Sequence, residues 1–165
     1  MMDLVNRGYI KWQGLSYFNF ILATTLLILI SLIPFAVLLE YLNISDDEVG
    51  GVDSDNYTPI SLFLMAVVFA PILETLFLQA FPIKLLQGFL KRKYEILIIL
   101  FSSVLFALMH FGYSSWYSLL TFPTGIILAK SYIIFQQRKE SSFWITTSIH
   151  SLRNLIAIVF ILLEK

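Results

Sequence analysis

The sequence contains no cysteine among its 165 residues, and charged residues make up only 13% of it. The absence of cysteine excludes disulfides, thiolate chemistry and cysteine-ligated zinc sites. A soluble domain of this length carries about 25% charged residues. Because the chain has half that share and is 58% hydrophobic, its composition excludes an ordinary soluble domain and indicates a membrane protein.

The few charges balance, with 11 basic and 11 acidic residues, and they are sorted along the chain. Acidic residues cluster at 46–48 and 53–55, and basic residues at 91–93 and 138–139. No basic surface suggests a nucleic-acid partner. Because short basic loops stay on the cytoplasmic side, this sorting predicts a cytoplasmic N-terminus, with residues 43–57 and the C-terminus outside.

Five apolar segments are each long enough to cross a bilayer as a helix. They cover about 17–42, 59–80, 95–111, 117–135 and 143–163. The first exceeds the apolar region of a signal peptide and lacks a small-residue cleavage site, so it is predicted to be retained. The sequence therefore predicts an all-α, polytopic bundle of about five spans. We expect one membrane domain, 1–165, with a first span at 17–42 and a four-span core at 59–163.

Prolines and glycines indicate where these spans depart from straight helices. Pro34 is expected to kink the first span, and Pro82 to break or bend the second. Residues 82–93 then lie in the interface or extend the span. Pro123 and Gly125 are expected to interrupt the fourth span.

The ionisable side chains inside apolar segments include Glu74 and the only two histidines, His110 and His150. Such residues are costly in a membrane, so they usually face a polar interior and serve a function. The alternative is structural, because a neutral acid or a single histidine can simply hydrogen-bond between helices. Glu74 suits either a structural acid or a general base.

Each histidine has a second residue of interest four positions away on the same helix. Phe106 and His110 share a helix face, as do His150 and Asn154. The second pair offers an imidazole and a carboxamide that can stabilise an oxyanion or orient a water molecule. Arg153 either snorkels to an interface or pairs with Glu74, and its central position favours the pairing.

Three elements occur in order: Glu74 with Gln79, Phe106-x-x-x-His110 and His150-x-x-x-Asn154. Together they resemble the three motifs of the CPBP intramembrane proteases, over about residues 60–160. That family includes the CAAX-processing endopeptidases and the bacterial abortive-infection and bacteriocin self-immunity proteins. Its pattern is E-E-x-x-x-R, then F-x-x-x-H, then H-x-x-x-N.

The resemblance implies peptide-bond hydrolysis within the lipid bilayer, on a membrane-associated protein or peptide. Glu74 would activate water with the help of His110, while His150 and Asn154 would stabilise the oxyanion. The family is often labelled as metalloproteases, although a metal-free glutamate mechanism is also argued. Glu74, His110 and His150 are therefore also candidate ligands for a zinc ion, which takes three protein ligands in catalytic sites.

The chain departs from the family pattern at Thr75 and Gln79, where a second glutamate and an arginine are usual. A Thr–Gln hydrogen bond can replace their ion pair, and an inward-facing Arg153 can replace the missing positive charge. The same departure also suits a catalytically weak or inactive member acting as a bacteriocin immunity or regulatory binding protein. The short length favours a bacterial cytoplasmic membrane.

Depth along the spans constrains the site. At 1.5 Å per residue, His150 lies about 12 Å from the link 136–142, whereas Glu74 lies about 27 Å from the turn near Arg92. Glu74, His110 and His150 are therefore expected to meet only if the spans break at Pro82 and near Pro123.

Overall fold

The computed structural model describes residues 2–52, 56–90 and 92–163, and every regular element in these ranges is helical. Residues 53–55 of the acidic loop and Lys91 of the first basic cluster lie outside the described residues. Five helices are long and apolar enough to cross a membrane, which confirms the all-α, five-span fold. They are Tyr17–Tyr41, Pro59–Phe89, Glu95–Gly112, Ser115–Phe135 and Ser142–Leu163, called here the first to fifth spans.

An additional helix, Met2–Gln13, precedes the first span and is fixed to it. The indole Nε1 of Trp12 donates to Thr24 Oγ1 at 2.9 Å, and its ring stacks on the buried Phe20. Arg138, in the link after the fourth span, donates through Nη1 to the carbonyl oxygens of Gln13 and Leu15. These contacts hold the N-terminal helix against one end of the bundle.

The bundle has an apolar core and also exposes apolar side chains on its outer surface. The fourth span lies at its centre, with 61% of its most apolar window buried, against 17% for the first span. Large apolar side chains on the outer spans are exposed, as lipid-facing residues are. Buried polar side chains are mostly small hydroxyl residues: Thr24, Thr25, Thr75, Ser102, Ser103, Thr121, Thr124, Ser131, Thr146 and Thr147.

The fourth span is a continuous helix, so the predicted interruption at Pro123 and Gly125 is wrong. Gly125 serves close packing instead. A Cβ added there would lie 3.0 Å from the Cα of Ser103 and 3.2 Å from the Cβ of Phe106. The missing side chain lets the third and fourth spans approach backbone to backbone.

The second span is also unbroken, because its helix continues past Pro82 to Phe89. It contains two π-helical segments, Leu64–Phe69 and Thr75–Ala80. After each, a backbone N–H bonds to the carbonyl five residues earlier, from Ala70 to Met65 and from Phe81 to Leu76. A proline follows one residue later in both cases. The extra residue in a π turn therefore accommodates the proline that the sequence prediction treated as a break.

Proline has no N–H, so each π segment leaves a backbone carbonyl without its helical donor. Pro71 cannot supply the bond from five residues ahead that the carbonyl of Ala66 needs, and that oxygen accepts from Asn154 Nδ2 at 2.8 Å. Pro82 also has no N–H, and the carbonyl of Leu78, four residues before it, lies 2.5 Å from Ser102 Oγ. Side chains of neighbouring spans therefore satisfy the freed groups, as lipid surroundings require.

Glu74 and His150 reach the same depth in the bundle without a break in either span. The amide side chains of Gln87 and Gln136 hydrogen-bond to each other at 2.8 and 2.9 Å, so they lie at one depth. Glu74 is about 20 Å from Gln87, and His150 is about 12 Å from Ser142, at 1.5 Å per residue. The link between Gln136 and Ser142 covers the remaining difference.

The loop between the first two spans closes over the opposite end of the bundle. Ser45 and Glu48 form a capping box on the helix Asp46–Val49, and the Ser45 backbone N–H lowers the pKa of the exposed Glu48. Ser114 Oγ donates to the carbonyl of Val49. Gly51 follows with φ +135°, and a Cβ there would lie 3.3 Å from the Tyr117 ring. The loop is therefore fixed beside the start of the fourth span.

Candidate active site

Glu74 ends the short α-helical stretch between the two π segments, at the middle of the second span. Its Oε2 lies 3.7 Å from Nε2 of His110 and 3.7 Å from Nε2 of His150, on the third and fifth spans. Oε2 is buried and has no hydrogen-bond partner among the described residues. The structure therefore brings together the three ionisable residues singled out from the sequence.

His110 is the first residue of the 3₁₀ turn that ends the third span. Its Nδ1 lies 2.7 Å from the carbonyl oxygen of Phe106, one turn earlier. Because a carbonyl oxygen only accepts, Nδ1 must carry the proton. In the neutral ring, Nε2 then presents a lone pair toward Glu74 and can accept a hydrogen bond from water.

His150 is buried in the fifth span. The fully buried ring of Phe106 packs against both imidazoles, with centroid distances of 4.7 Å to His110 and 5.5 Å to His150. Phe106 thus positions one histidine by its carbonyl and both by its ring. Nδ1 of His150 has no partner within the described part of the chain.

Asn154 lies beside this group, and both ends of its carboxamide make a hydrogen bond. Nδ2 donates to the carbonyl of Ala66, and Oδ1 accepts from Arg153 Nη1 at 3.1 Å. Among the described residues, Arg153 and Glu74 line the same small cavity but form no direct ion pair within 4 Å. The hydrogen bond to Asn154 holds the guanidinium on the fifth span instead.

The side chains surround a small cavity of about 70 Å³, large enough for a few water molecules. Its lining includes Glu74, His110, His150, Arg153 and Asn154. A second cavity of about 510 Å³ adjoins it. That volume is typical of pockets that hold small ligands.

The two cavities share five lining residues: Val52, Ala66, Tyr117, Arg153 and Asn154. Away from this boundary the larger cavity is lined by Ile158 and Ile161 and, at the loop, by Asp46 and Asp47. The arrangement can hold water against a carboxylate while a longer chain lies alongside.

Thr75 and Gln79 are buried but are not among the described residues that line the small cavity. Gln79 Oε1 lies 2.7 Å from Ser102 Oγ, on the third span. Thr75 Oγ1 has no partner among the described residues, so the predicted Thr–Gln hydrogen bond is wrong. Thr75 and Gln79, the two departures from the family pattern, therefore pack between helices instead of lining the cavity.

The structure adds residues that the sequence reasoning missed. Tyr113 and Tyr117 lie near His110, with ring-centroid distances of 6.3 and 5.7 Å, and both line the small cavity. Partial burial raises the pKa of Tyr113, which keeps its hydroxyl protonated at neutral pH. Tyrosines beside a span end are typical membrane-interface anchors, so their position alone did not distinguish a cavity role.

A metal centre is not supported by this geometry. Within the described ranges, no group of three His, Cys, Asp or Glu side chains is placed to hold a metal ion. Metal-bound histidines also usually donate their second ring N–H to an acceptor. Nδ1 of His150 has no such acceptor in the described part of the chain.

Comparison with protein families gives one match: the family model described as type II CAAX prenyl endopeptidase Rce1-like covers residues 56–156. This range holds the second, third and fourth spans and most of the fifth, and it includes every residue of the three motifs. No curated protein and no solved structure matches the chain. The match confirms the resemblance to CAAX-type intramembrane proteases.

Proposed function

Because the chain belongs to the Rce1-like type II CAAX prenyl endopeptidase family, we propose that it hydrolyses a peptide bond of a membrane-associated protein or peptide, with Glu74 as general base. Family membership and the five candidate spans make it an integral membrane member of a protease family. The identity of the base and the class of substrate are the proposal.

One observation carries it: a single carboxylate oxygen of Glu74 lies 3.7 Å from Nε2 of both His110 and His150. This separation exceeds a direct hydrogen bond and suits a water molecule shared between the groups. General-base catalysis needs the base within reach of such a water. The lone pair on His110 Nε2 gives that water a second partner.

In the proposed reaction, Glu74 accepts a proton from water while the water oxygen bonds to the scissile carbonyl carbon. The carbonyl π electrons move to oxygen and form an oxyanion. When the C–N bond breaks, the leaving nitrogen takes the proton from Glu74, and the products are a carboxylic acid and an amine. His110 orients the water in this scheme, and the buried His150 faces the same carboxylate.

Glu74→Gln tests the base. A fluorogenic peptide carrying an S-prenylated C-terminal cysteine motif, and a second peptide with an unmodified transmembrane segment, are incubated with the purified protein in liposomes. Loss of a general base lowers kcat by about 10²- to 10⁴-fold. The exposed Glu40 provides the matched control, Glu40→Gln. Equal cleavage by wild type and Glu74→Gln, with both proteins folded, contradicts the proposal.

The altered first motif favours a second candidate, a catalytically weak immunity or regulatory protein that binds a peptide in the same cavity. Gln79 replaces a charged family residue, and its side chain hydrogen-bonds to Ser102 on the third span. This candidate predicts that the wild type cleaves neither probe but captures one through a photoreactive residue introduced at Tyr117. Undiminished capture by Glu74→Gln would favour binding over hydrolysis.

We also propose that the N-terminus is cytoplasmic and that residues 59–163 form the motif-bearing core of a single membrane domain, 1–165. The chain has no cysteine, so single variants at the exposed Asp47 and Lys139 report the orientation cleanly. In sealed cells, an impermeant thiol reagent should label Asp47→Cys and not Lys139→Cys. The reverse pattern contradicts the orientation.

A further inference from the structure

We infer that Arg153 is a catalytic residue that stabilises the oxyanion, and that Asn154 is its positioning residue. The inference rests on the proposed function and changes the role of Asn154. The sequence motif favoured the Asn154 carboxamide as an oxyanion donor. In the structure, one N–H of that carboxamide is used by Ala66, and the charged guanidinium beside it offers more donors.

The orientation of Asn154 is fixed from both ends. The carbonyl of Ala66 only accepts, so it requires the NH₂ group of Asn154 at 2.8 Å. Arg153 only donates, so it requires the oxygen of Asn154 at 3.1 Å. Both contacts select the same amide orientation. The carboxamide of Asn154 therefore joins the second span to the guanidinium, through one of its two N–H groups and its oxygen.

Arg153, which Asn154 holds in place, has more N–H groups than Asn154 uses. A guanidinium carries five N–H groups and is always charged. Nη1 of Arg153 is bonded to Asn154, while Nε is buried and has no partner among the described residues. A buried N–H of a charged group is costly to leave without a partner, which points to a ligand that accepts from it.

Arg153 also lies at the boundary between the two cavities. It lines both the small cavity with Glu74 and the larger cavity that has room for a peptide. A cation between the activated water and the substrate is suited to the negative charge that develops on the carbonyl oxygen.

The test separates transition-state from ground-state binding. Arg153→Gln removes the charge, Arg153→Lys keeps it without the planar fork, and Lys139→Gln is a control that removes an exposed cation from the link. We expect Arg153→Gln to lower kcat by about 10²- to 10³-fold, as loss of one oxyanion donor does, with KM changed less than about threefold. Arg153→Lys should lie between it and the wild type.

A phosphinate peptide, whose tetrahedral anion imitates the intermediate, gives a readout independent of turnover. Arg153→Gln should weaken its binding by the same factor as kcat, while binding of a matched uncleavable amide stays unchanged. Unaltered kcat or unaltered phosphinate affinity overturns the inference. If Glu74→Gln cleaves normally but Arg153→Gln does not, the proposed base fails and the role of Arg153 stands. If Arg153→Gln does not fold, Arg153→Lys decides the question.

Discussion

The two π segments of the second span each accommodate a proline, but the contacts that result differ in their consequences. In each, a proline follows the π turn and leaves a carbonyl that a neighbouring span must satisfy. At the first segment the donor is Asn154 of the fifth span, which also holds Arg153 beside the cavity. At the second segment the donor is Ser102 of the third span.

The difference lies in what else each donor touches. Ser102 shares its single proton between the carbonyl of Leu78 and Oε1 of Gln79, and all three residues are buried. The hydrogen bonds at that junction therefore stay within the packed interface between the second and third spans. Asn154 has a second polar end, Oδ1, which accepts from Arg153, and both residues line the two cavities. A carbonyl freed by proline therefore helps to position a site residue only where the side chain that donates to it also holds a group lining the site.

Asn154→Leu should produce the largest effect at these two junctions. The variant removes the donor for Ala66 and the acceptor for Arg153, so the guanidinium loses its fixed position. A misplacement of about 1 Å can cost about 10²-fold in rate, and we expect that loss in kcat with little change in KM. Steady-state kinetics on the prenylated or transmembrane probe measures both.

A purely structural role for Asn154 makes a different prediction. It would lower the thermal unfolding midpoint in detergent while leaving the kcat of the folded fraction near the wild-type value. That outcome would remove the distinction between the two junctions.

Ser102→Ala should have a smaller effect, confined to stability. It leaves the carbonyl of Leu78 and the amide of Gln79 without their shared partner in a buried position. Unsatisfied buried groups of this kind cost about 1–3 kcal/mol, with membrane values toward the lower end. Unfolding in mixed micelles should show this loss while kcat is unchanged. A fall in kcat comparable to that of Asn154→Leu would show that both junctions support the cavity.

The sequence was sufficient to predict which residues meet but not how. Glu74, His110 and His150 were identifiable because each is a costly residue in an apolar segment at family-like spacing. The depth estimate assumed uniform, continuous α-helices and therefore required breaks at Pro82 and near Pro123 for the three residues to meet. The π turns and the rise of the link after Gln136 were not encoded in any periodicity, because they depend on which neighbouring span satisfies a free carbonyl.

Side-chain direction was the other limit. A helix position predicts that Arg153 lies next to the face of His150 and Asn154, and this made a pair with Glu74 the favoured interpretation. The observed contact is with the adjacent Asn154, whose orientation is set by Ala66 on another span. Such a relay requires tertiary contacts between π-helical backbone and a distant side chain, which spacing along one chain does not reveal.

The smallest expected effect comes from restoring the missing N–H at each junction. Pro71→Ala supplies a donor that competes with Asn154 for the Ala66 carbonyl, and a weakened Asn154 contact should lower kcat by a few-fold, on the order of one side-chain hydrogen bond in a membrane. Pro82→Ala supplies a donor to Leu78, already bonded to Ser102, and should leave kcat unchanged. Both variants add a backbone hydrogen bond, so neither is expected to lower the unfolding midpoint. Because the two substitutions are chemically identical and lie in one helix, equal effects on kcat would contradict the assignment of the first π segment, and not the second, to the active site.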